Sequence, residues 1–456
     1  MENANENIGS QSSARNKIVD ILTRVDTRQS YTDKLLDREI NSYSDEDRAL
    51  ITEVVNGVLR WRFRLDWNLN QLYVGEYDNL IPDVKNNLRA SIYQLIYLDR
   101  IPAYAILNEA VEIAKSKYNQ KTANLVNAIL RNFLRQQKKL EYQEMQLGYI
   151  ERLCVTLSHP AWLIQRWVEQ WGVDDTMALC EANNARPRIA IRINHLLLTD
   201  ENALFAEMEE KGVTYERNTD FPEFIWIDDF SEFRKLDYLR NGQVAVQDVS
   251  TGIPVRLLRP QPGERVLDMC AAPGGKSAYI SEFMQNQGLL VDLEKHAPRA
   301  KALKDNLERL GVTVAEVING DGLSLPLNIK FDKILLDAPC SGFGVINKRV
   351  DLKWKRLPED IENMHKLQLS LLDAAAAALA DNGVIVYSTC TIEKRENEDT
   401  VDEFLAAHPE FVKEDLRKDV PQHYLWDRYS VRTFPHRHQT DGSFAVRLRK
   451  KGNAAS

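Results

Sequence analysis

The chain has 456 residues, 44% of them hydrophobic, which is long enough for two or three domains that each bury a core. Its formal net charge of −8 argues mildly, taken alone, against a nucleic-acid partner. The five cysteines are scattered and never spaced as CxxC, so we expect neither a disulfide framework nor a zinc site, and we place the protein in a reducing cytoplasm.

The sequence contains no stretch typical of export or of membrane insertion. The first ten residues are polar, and the longest small-apolar run, LLDAAAAALA, is short and interrupted by Asp373. We therefore expect no membrane partner.

Residues 1–140 predict an all-helical domain. Apolar residues recur at helical spacing, as in Ile18, Ile21 and Leu22, and Ser44 followed by acidic residues is typical of a helix start. Between Ala114 and Leu140 there is no acidic residue, and there are seven basic ones: Lys115, Lys117, Lys121, Arg131, Arg135, Lys138 and Lys139. Such a run is most often a solvated helix face, so by itself it only suggests a polyanion partner.

Residues 150–242 predict a linker region followed by a small α+β module of the RRM-like kind. The polar segment QQKKLEYQEMQ, at 136–146, is typical of a linker. After Arg186 the pattern changes to alternation in RIAIRIN, then to a helix around ENALFAEMEEKG and a short strand FIWID. This order is typical of mixed α and β structure.

In residues 243–456 strand and helix patterns alternate, which predicts a Rossmann-like α/β domain. The apolar segments are separated by helical ones: ERVLDMC, GLLVDLE, TVAEVING, FDKILLDAP and GVIVYSTCT. Near-continuous apolar strands with helical crossovers form a parallel sheet covered on both faces. In such a sheet, ligands bind at the carboxyl ends of the strands, near the point where the strand order reverses.

The segment DMCAAPGGKSAYI predicts a ligand-binding turn between the first of these strands and its helix. Gly274 and Gly275 remove side chains where the backbone must approach a ligand, and the helix start offers unpaired N–H groups. The spacing is neither GxxxxGK[ST] nor GxGxxG, so it favours neither a P-loop nor a dinucleotide site.

The following strands also end in carboxylates. Asp292, Asp321 and Asp337 stand at or just after strand ends, with Glu294 as an alternative to Asp292. Three acids around a glycine turn can accept hydrogen bonds from ribose hydroxyls and an adenine amino group and can face a cationic centre. This combination suits S-adenosylmethionine better than a polyphosphate. Spacing does not separate Asp292 from Glu294.

Two cysteines, Cys340 and Cys390, close the fourth and fifth strands of this domain, which we expect to be neighbours. A free cysteine is most often an inert small hydrophobe, but two at adjacent strand ends indicate chemistry. Adding a thiolate to C6 of cytosine makes C5 nucleophilic enough to take a methyl group from a sulfonium. The C5 proton must then leave, which requires help from a second group.

Asp337 stands shortly before Cys340 and can hydrogen-bond N3 or the exocyclic amine of cytosine as charge builds on the ring. Capping the loop through backbone N–H groups is the structural alternative for this residue. Lys276 can orient Asp337, or it can lie near a thiol and lower its pKa.

Four motifs, DMCAAPGGK, LLDAPCSGFGVINKRVDLKW, VYSTCTIEKRENE and PHRHQTDGSFAVRLRK, resemble the successive motifs of the RNA cytosine-C5 methyltransferases of the Sun/NOL1/NOP2 group. The helical segment NLVNAILRNFLR resembles the NusB-like domain that precedes the catalytic domain in the bacterial 16S rRNA member of that group. Together these resemblances cover nearly the whole chain.

The resemblance implies roles for particular residues. Cys390, in the TC motif, is the implied nucleophile, and Cys340, in the PC motif, assists product release. The implied contacts with S-adenosylmethionine are Cys270, Ala271, Ala272, Pro273, Gly274, Gly275, Lys276, Asp292, Asp321 and Asp337. The helix after Asp292 departs from the family pattern in its length and in containing Pro298. His436–His438 belong, in the family, to an RNA-facing motif, so no metal is expected.

Alternatives remain for the thiol roles and for the function. DNA cytosine-C5 methyltransferases attack with the cysteine of a Pro-Cys motif, which would exchange the roles of Cys340 and Cys390. The implied substrate is small-subunit rRNA before the subunit is complete, with tRNA or 23S rRNA as alternatives. A noncatalytic RNA-binding or assembly protein is a further alternative. With RNA as the partner, the basic run predicts phosphate contacts, and we expect a monomer.

Overall fold

The structure is a computed structural model that describes residues 13–28, 31–325 and 327–452; the polar first ten residues lie outside them. The chain divides into two compact units. The first contains the chain up to Ala185 together with Ile346–Lys355. The second contains Arg186–Val345 and the chain from Arg356 onward.

The first unit is helical, as the sequence predicts. Its helices before residue 186 are α1 (Ala14–Arg28), α2 (Thr32–Glu39), α3 (Asp45–Arg60), α4 (Arg62–Leu72), α5 (Pro82–Tyr97), α6 (Ala103–Lys117), α7 (Gln120–Met145), α8 (Tyr149–Leu157), α9 (Ala161–Trp171) and α10 (Val173–Asn184). Ile18, Ile21 and Leu22 are buried, and the Ser44 side chain accepts a hydrogen bond from the Asp47 N–H, so the predicted face and helix start are confirmed. No helix among the described residues is long and apolar enough to cross a membrane.

The predicted linker at 136–146 is wrong, because α7 runs through most of it without a break. Phe133, Leu140 and Glu144 are buried at helical spacing, so the inward face of α7 continues past the polar residues that suggested a linker. The helices α8, α9 and α10 belong to the first unit, and the α+β module begins only after Ala185.

The second unit starts with a small α+β module. Its elements are β1 (Ile189–Ile193), α11 (Glu201–Glu210), β2 (Tyr215–Arg217), β3 (Phe224–Ile227), α12 (Phe230–Phe233) and β4 (Val244–Val246). The strands form an antiparallel sheet in the order β2-β3-β1-β4. The strands predicted in RIAIRIN and FIWID are β1 and β3, and their inward side chains pack with Leu204 and Met208 of α11.

The rest of the second unit is an α/β domain. Its elements, with the short α16 that belongs to the first unit, are α13 (Val249–Leu258), β5 (Arg265–Asp268), α14 (Gly275–Phe283), β6 (Leu289–Glu294), α15 (Ala297–Arg309), β7 (Ala315–Asn319), β8 (Phe331–Asp337), α16 (Leu352–Lys355), α17 (Pro358–Ala378), β9 (Leu379–Thr389), α18 (Glu398–Ala407), β10 (Phe411–Lys413), β11 (Leu425–Asp427), β12 (Ser430–Thr433), α19 (Pro435–His438) and β13 (Ser443–Lys450).

These strands form one sheet in the order β11-β12-β13-β9-β8-β5-β6-β7, with β10 paired to β13. The strands β9, β8, β5, β6 and β7 are parallel, as predicted. The C-terminal strands join through antiparallel pairing of β13 with β9, so the complete sheet is mixed rather than all parallel. The strand order reverses between β5 and β8, and such a switch point is where ligands bind in sheets of this kind.

The segment Ile346–Lys355 leaves the α/β domain and packs with the helical unit. Lys353 is fully buried there, and its amine donates a hydrogen bond to the Arg60 carbonyl at 2.8 Å. The Trp354 indole N–H donates to the Leu59 carbonyl at 2.5 Å. The second half of the motif LLDAPCSGFGVINKRVDLKW therefore packs in the helical unit, although the first half of the same motif carries Cys340.

Candidate active site

The chemistry-bearing residues collect at the carboxyl edge of the parallel strands. Asp268 is the last residue of β5 and Asp337 the last residue of β8, the strands on either side of the switch point. Cys340 follows β8, and Cys390 directly follows β9. The strands β8 and β9 are neighbours, so the predicted placement of the two cysteines on adjacent strand ends is confirmed.

The turn Cys270–Lys276 joins β5 to α14 and is braced by α15. Gly274 has a φ of +101°, in the left-handed region, and a Cβ there would come within 2.7 Å of the Leu303 side chain. Arg299 of α15 donates a hydrogen bond to the Ala272 carbonyl at 2.9 Å. Among the residues that the structure describes, no side chain caps the start of α14, so its first N–H groups remain for a ligand.

Asp268 and Asp292 form a buried acidic pair behind this turn, on paired positions of β5 and β6. Asp268 accepts a hydrogen bond from the Ser277 hydroxyl at 3.0 Å, whereas neither carboxylate oxygen of Asp292 has a partner among the described residues. Burial and the nearby Asp337 raise the pKa of Asp268 to about 7, and burial and Asp268 raise the pKa of Asp292 well above its usual range. Each carboxylate of the pair therefore disfavours ionisation of the other.

Glu294 and Asp321 lie at the next strand ends. Glu294 is the last residue of β6, beyond Asp292, and its carboxylate pairs with Arg299 at 3.3 Å. Asp321 follows β7 and pairs at 2.8 Å with Lys295, whose hydrogen bond lowers the pKa of that carboxyl. Basic side chains thus anchor both carboxylates at the edge of the sheet.

Asp337 is held by a separate partner on each carboxylate oxygen. The Lys276 amine donates to Oδ2 and the Ser388 hydroxyl donates to Oδ1, both at 2.8 Å. Burial acts to lower the pKa of Lys276, but the carboxylates of Asp337 and Asp268 outweigh burial and raise that pKa, so the amine stays charged. The sequence left the target of Lys276 open, and in the structure it contacts Asp337.

The two thiols are in contact. The Sγ atoms of Cys340 and Cys390 lie 3.2 Å apart. The hydrogen bond with Cys390, together with burial, raises the pKa of Cys340 well above its usual range, so Cys340 is a neutral thiol near pH 7. A neutral thiol is a poor nucleophile, but it can take part in proton transfer.

The loops that carry the cysteines are bonded to each other and to the DG sequence before β13. The Ser341 and Thr391 hydroxyls share a hydrogen bond of 2.8 Å, and the Gly344 N–H donates to the Cys390 carbonyl at 3.1 Å. The Gly442 N–H donates to the Gly344 carbonyl at 2.8 Å, and a Cβ on Gly344 would come within 1.8 Å of the Gly442 oxygen. Three segments distant in sequence therefore hold the cysteines together.

Sequence reasoning missed the polar residues that support these loops. Ser388 holds Asp337, as described above, and Glu396 accepts a hydrogen bond from the Ser341 N–H at 2.8 Å. Gln368 donates to the Pro339 carbonyl at 2.8 Å. Ser388 and Glu396 lie within the motif VYSTCTIEKRENE, so the sequence contained a signal that pointed to these two residues. Gln368 is an ordinary polar residue of the long helix α17 and gave none.

The predicted RNA-facing histidines lie in α19, within Pro435–His438. The Nε2 atom of His438 lies 3.0 Å from the carbonyl oxygen of His423. Where residues are described, no three side chains of His, Cys, Asp or Glu come together in a group that could hold a metal ion.

The basic run predicted in the first unit divides into two parts. Lys117 forms ion pairs with Asp20 and Asp83, so its charge is used within the helical unit. The basic stripe of α7, which we define as four exposed side chains at helical spacing, forms no ion pair with any described carboxylate: Arg131, Arg135, Lys138 and Lys139. This stripe is available to a polyanion.

Family models match each part of the chain. Residues 255–449 match the model described as 16S rRNA methyltransferase RsmB/F. Residues 12–135 match the NusB family, and residues 159–233 match the ferredoxin-like domain of RsmF/B-like methyltransferases.

Curated relatives match this chain over most of its length. The chain is 34% identical over 451 residues to the probable ribosomal RNA small subunit methyltransferase B of Bacillus subtilis, covering 97% of this chain and 100% of the relative. It is 38% identical over 379 residues to the ribosomal RNA small subunit methyltransferase B of Klebsiella pneumoniae, covering 80% and 83%. The crystal structure of PH0851 superposes with a TM-score of 0.81 at 26% identity, covering 98% of this chain and all of that one.

Proposed function

The chain belongs to the RsmB/F family of 16S rRNA methyltransferases, and from that premise we propose that it transfers a methyl group from S-adenosylmethionine to C5 of a cytosine in small-subunit rRNA. The observation that carries this proposal is the contact of two thiols, 3.2 Å apart, at the ends of β8 and β9. Two thiols in contact suit a reaction that must both form and break a bond between sulfur and the base.

The strand ends offer a donor set that fits S-adenosylmethionine, with free N–H groups at the start of α14 and carboxylates beside them. We assign the cofactor to the turn Cys270–Lys276 and to Asp321 and Asp337. For the ribose we favour Glu294 over Asp292, because β6 continues beyond Asp292 and both oxygens of Asp292 are enclosed. When bound, S-adenosylmethionine supplies an electrophilic methyl group to C5.

Cys390 is the nucleophile in this proposal. Its thiolate forms a bond from Sγ to C6 of the cytosine, and the electron pair of the C5–C6 double bond moves towards C5. Asp337 accepts a hydrogen bond from the exocyclic amine, because Lys276 and Ser388 hold its two carboxylate oxygens in a fixed position. A preorganised carboxylate needs no rearrangement as charge builds on the ring.

Cys340 serves the release step. The hydrogen bond to Cys390 is the largest cause of its raised pKa, and that cause disappears when the sulfur of Cys390 is bonded to carbon. The Cys340 thiol then ionises more readily by giving its proton to solvent, and the resulting thiolate accepts the C5 proton. The electrons of the C5–H bond re-form the C5–C6 double bond, the C6–Sγ bond breaks, and Cys390 leaves as a thiolate.

The helical unit supplies RNA affinity in this proposal. The basic stripe of α7 attracts phosphates without regard to sequence, and this attraction positions the substrate. The target cytosine must be unpaired, because a thiol does not reach C6 within a stacked helix. This requirement favours naked rRNA, before the small subunit is complete.

The test is methyl transfer from labelled S-adenosylmethionine to purified 16S rRNA, with 23S rRNA and tRNA as parallel substrates. We expect label in 16S rRNA, and a bisulfite-resistant cytosine that is missing from cells lacking the protein. Label in tRNA or 23S rRNA alone would contradict the substrate. RNA binding without any methyl transfer would favour the noncatalytic assembly protein.

A further inference from the structure

Two adjacent buried residues, Glu396 and Asn397, follow β9 and face different cysteine loops. Both are 0% exposed, and Glu396 ends a single 3₁₀ turn, Lys394–Glu396. The Tyr387 hydroxyl of β9 donates to the Glu396 carbonyl oxygen at 2.6 Å, so the turn is anchored to the sheet.

Glu396 braces the loop that carries Cys340. Its Oε2 atom accepts hydrogen bonds from the Ser341 N–H at 2.8 Å and from the Gln368 amide at 3.1 Å. The same Gln368 amide donates to the Pro339 carbonyl at 2.8 Å. The backbone on both sides of Cys340 is therefore held by Glu396 and Gln368 together. Burial makes these bonds stronger than they would be in water.

Asn397 braces the loop that carries Cys390. Its Oδ1 atom accepts a hydrogen bond from the Thr389 hydroxyl at 2.6 Å, and its amide donates to the Thr391 carbonyl at 3.0 Å. These are the residues immediately before and after Cys390. Within the described chain, the Asn397 side chain makes no hydrogen bond to the Cys340 loop, and the Glu396 side chain makes none to residues 389–391.

We propose that Glu396 and Asn397 are positioning residues with separate tasks, Asn397 holding Cys390 for attack on C6 and Glu396, through Gln368 and Ser341, holding Cys340 for release. This inference rests on the proposed roles of the two cysteines. Losing the Glu396 side chain removes direct hydrogen bonds from the Cys340 loop and none from Thr389 or Thr391, so the covalent enzyme–RNA adduct still forms and then persists. Losing the Asn397 side chain misplaces the attacking thiol, so less adduct forms.

The test compares Glu396→Ala and Asn397→Ala with the wild type and with Cys340→Ala. The fraction of enzyme covalently bound to 16S rRNA is read on a denaturing gel, beside steady-state turnover. We expect both variants to lose turnover by about 10- to 100-fold, as small misplacements of reacting groups do. Only Glu396→Ala should accumulate adduct as Cys340→Ala does. Equal changes in adduct and turnover for the two variants would overturn the separation of tasks.

Two further variants keep the test decisive if Glu396→Ala folds poorly. Gln368→Ala removes the bond to Pro339 but leaves the carboxylate in place, and it should also accumulate adduct. Glu396→Gln keeps an acceptor for the Ser341 N–H and should recover most of the turnover. Persistent loss of turnover in Glu396→Gln, without adduct, would count against positioning.

Glu223→Ala is the matched control, because Glu223 is another buried glutamate of the same unit, bonded to Arg256 and Tyr279. It should lower the melting temperature without raising the adduct fraction. If Cys340→Ala itself accumulates no adduct, the proposed role of Cys340 fails. If Cys340→Ala accumulates adduct but Glu396→Ala and Gln368→Ala do not, this inference alone fails.

Discussion

The Sγ atoms of Cys340 and Cys390 lie 3.2 Å apart although the residues are 50 positions apart in the sequence. Adjacent parallel strands bring their two loops together, and the bonds of Gly344 with Cys390 and of Ser341 with Thr391 lock the loops to each other. At this distance the hydrogen bond with Cys390 raises the pKa of the Cys340 thiol. In the proposed mechanism, this sulfur–sulfur contact couples attack by Cys390 to release by Cys340.

The first prediction concerns the division of roles between these thiols. Cys390→Ala should lose turnover and all covalent RNA adduct, because no bond to C6 forms. Cys340→Ala should trap the adduct, because the C5 proton is not removed. Denaturing gels with 16S rRNA, and with RNA that contains a fluorinated cytosine, measure both. The reverse pattern would assign attack to Cys340.

The second prediction concerns the orientation of Asp337. Ser388→Ala removes one of its two fixed partners, and a hydrogen bond to a charged group is worth about 1.5–3 kcal/mol, so the rate of methyl transfer should fall about 10- to 100-fold. Affinity for S-adenosylmethionine, which Asp337 also contacts in this proposal, should fall less than the rate, because Lys276 still holds the other oxygen of Asp337. The control is Ser370→Ala on α17, whose hydroxyl donates a hydrogen bond to the Lys366 carbonyl of its own helix. A full rate in Ser388→Ala would show that Lys276 alone orients Asp337.

The third prediction separates Glu294 from Asp292. Glu294→Ala should weaken binding of S-adenosylmethionine about tenfold, the loss expected for one charge-assisted hydrogen bond. Asp292→Asn should leave the affinity nearly unchanged, because both carboxylate oxygens of Asp292 are enclosed. Calorimetric titration measures both, with Asp305→Asn on the exposed side of α15 as control. If Asp292→Asn loses more affinity for S-adenosylmethionine than Glu294→Ala, Asp292 is the residue that binds the ribose.

The fourth prediction concerns the basic stripe of α7. Replacing Arg131 and Arg135 by Ala should weaken RNA binding and reduce the slope of log affinity against log salt by about 1.4, since each single-strand phosphate contact contributes roughly 0.7. Binding measured at several salt concentrations gives the slope. A double variant with the same charge change elsewhere in the helical unit, Arg38→Ala with Arg100→Ala, should keep the original slope. Equal slopes for all proteins would exclude the stripe from the RNA interface.

The fifth prediction concerns pH and stability. Burial raises the pKa of Glu396 from 4.5 to about 7, so the folded protein keeps a proton that the unfolded chain has lost. Between these pH values the unfolded state binds fewer protons, and stability falls as pH rises, by roughly 3 kcal/mol in all. Glu396→Gln has no carboxyl at this position, so it should not lose stability in this way. Its free energy of unfolding should therefore increase relative to that of the wild type as pH rises from about 4 to 8.

Urea unfolding at several pH values measures this difference. The exposed Glu308→Gln serves as control and should follow the wild type at every pH. Parallel curves for Glu396→Gln and the wild type would mean that the Glu396 carboxyl has the same pKa in the folded and the unfolded protein.

Sequence patterns identified the elements that carry the chemistry, because apolar strands followed by short polar turns are local features. The turn Cys270–Lys276 and the two cysteines were placed at the correct strand ends on that basis. The prediction of a linker at 136–146 was wrong because burial is not a local feature. A run of polar residues does not reveal that Leu140 still packs inward, since burial depends on what faces the helix.

The sequence by itself determined the order of the parts, the parallel strands and the residue types of the site, because each is written within a few neighbouring residues. Only the tertiary structure decided that Glu396 and Asn397 stand behind different thiols, and that Ile346–Lys355 packs with the helical unit. It also placed Glu294, rather than Asp292, at the end of β6. The Glu396 contact with Ser341 and the packing of Ile346–Lys355 join segments far apart in the chain, and no local pattern specifies which distant residue completes a hydrogen bond.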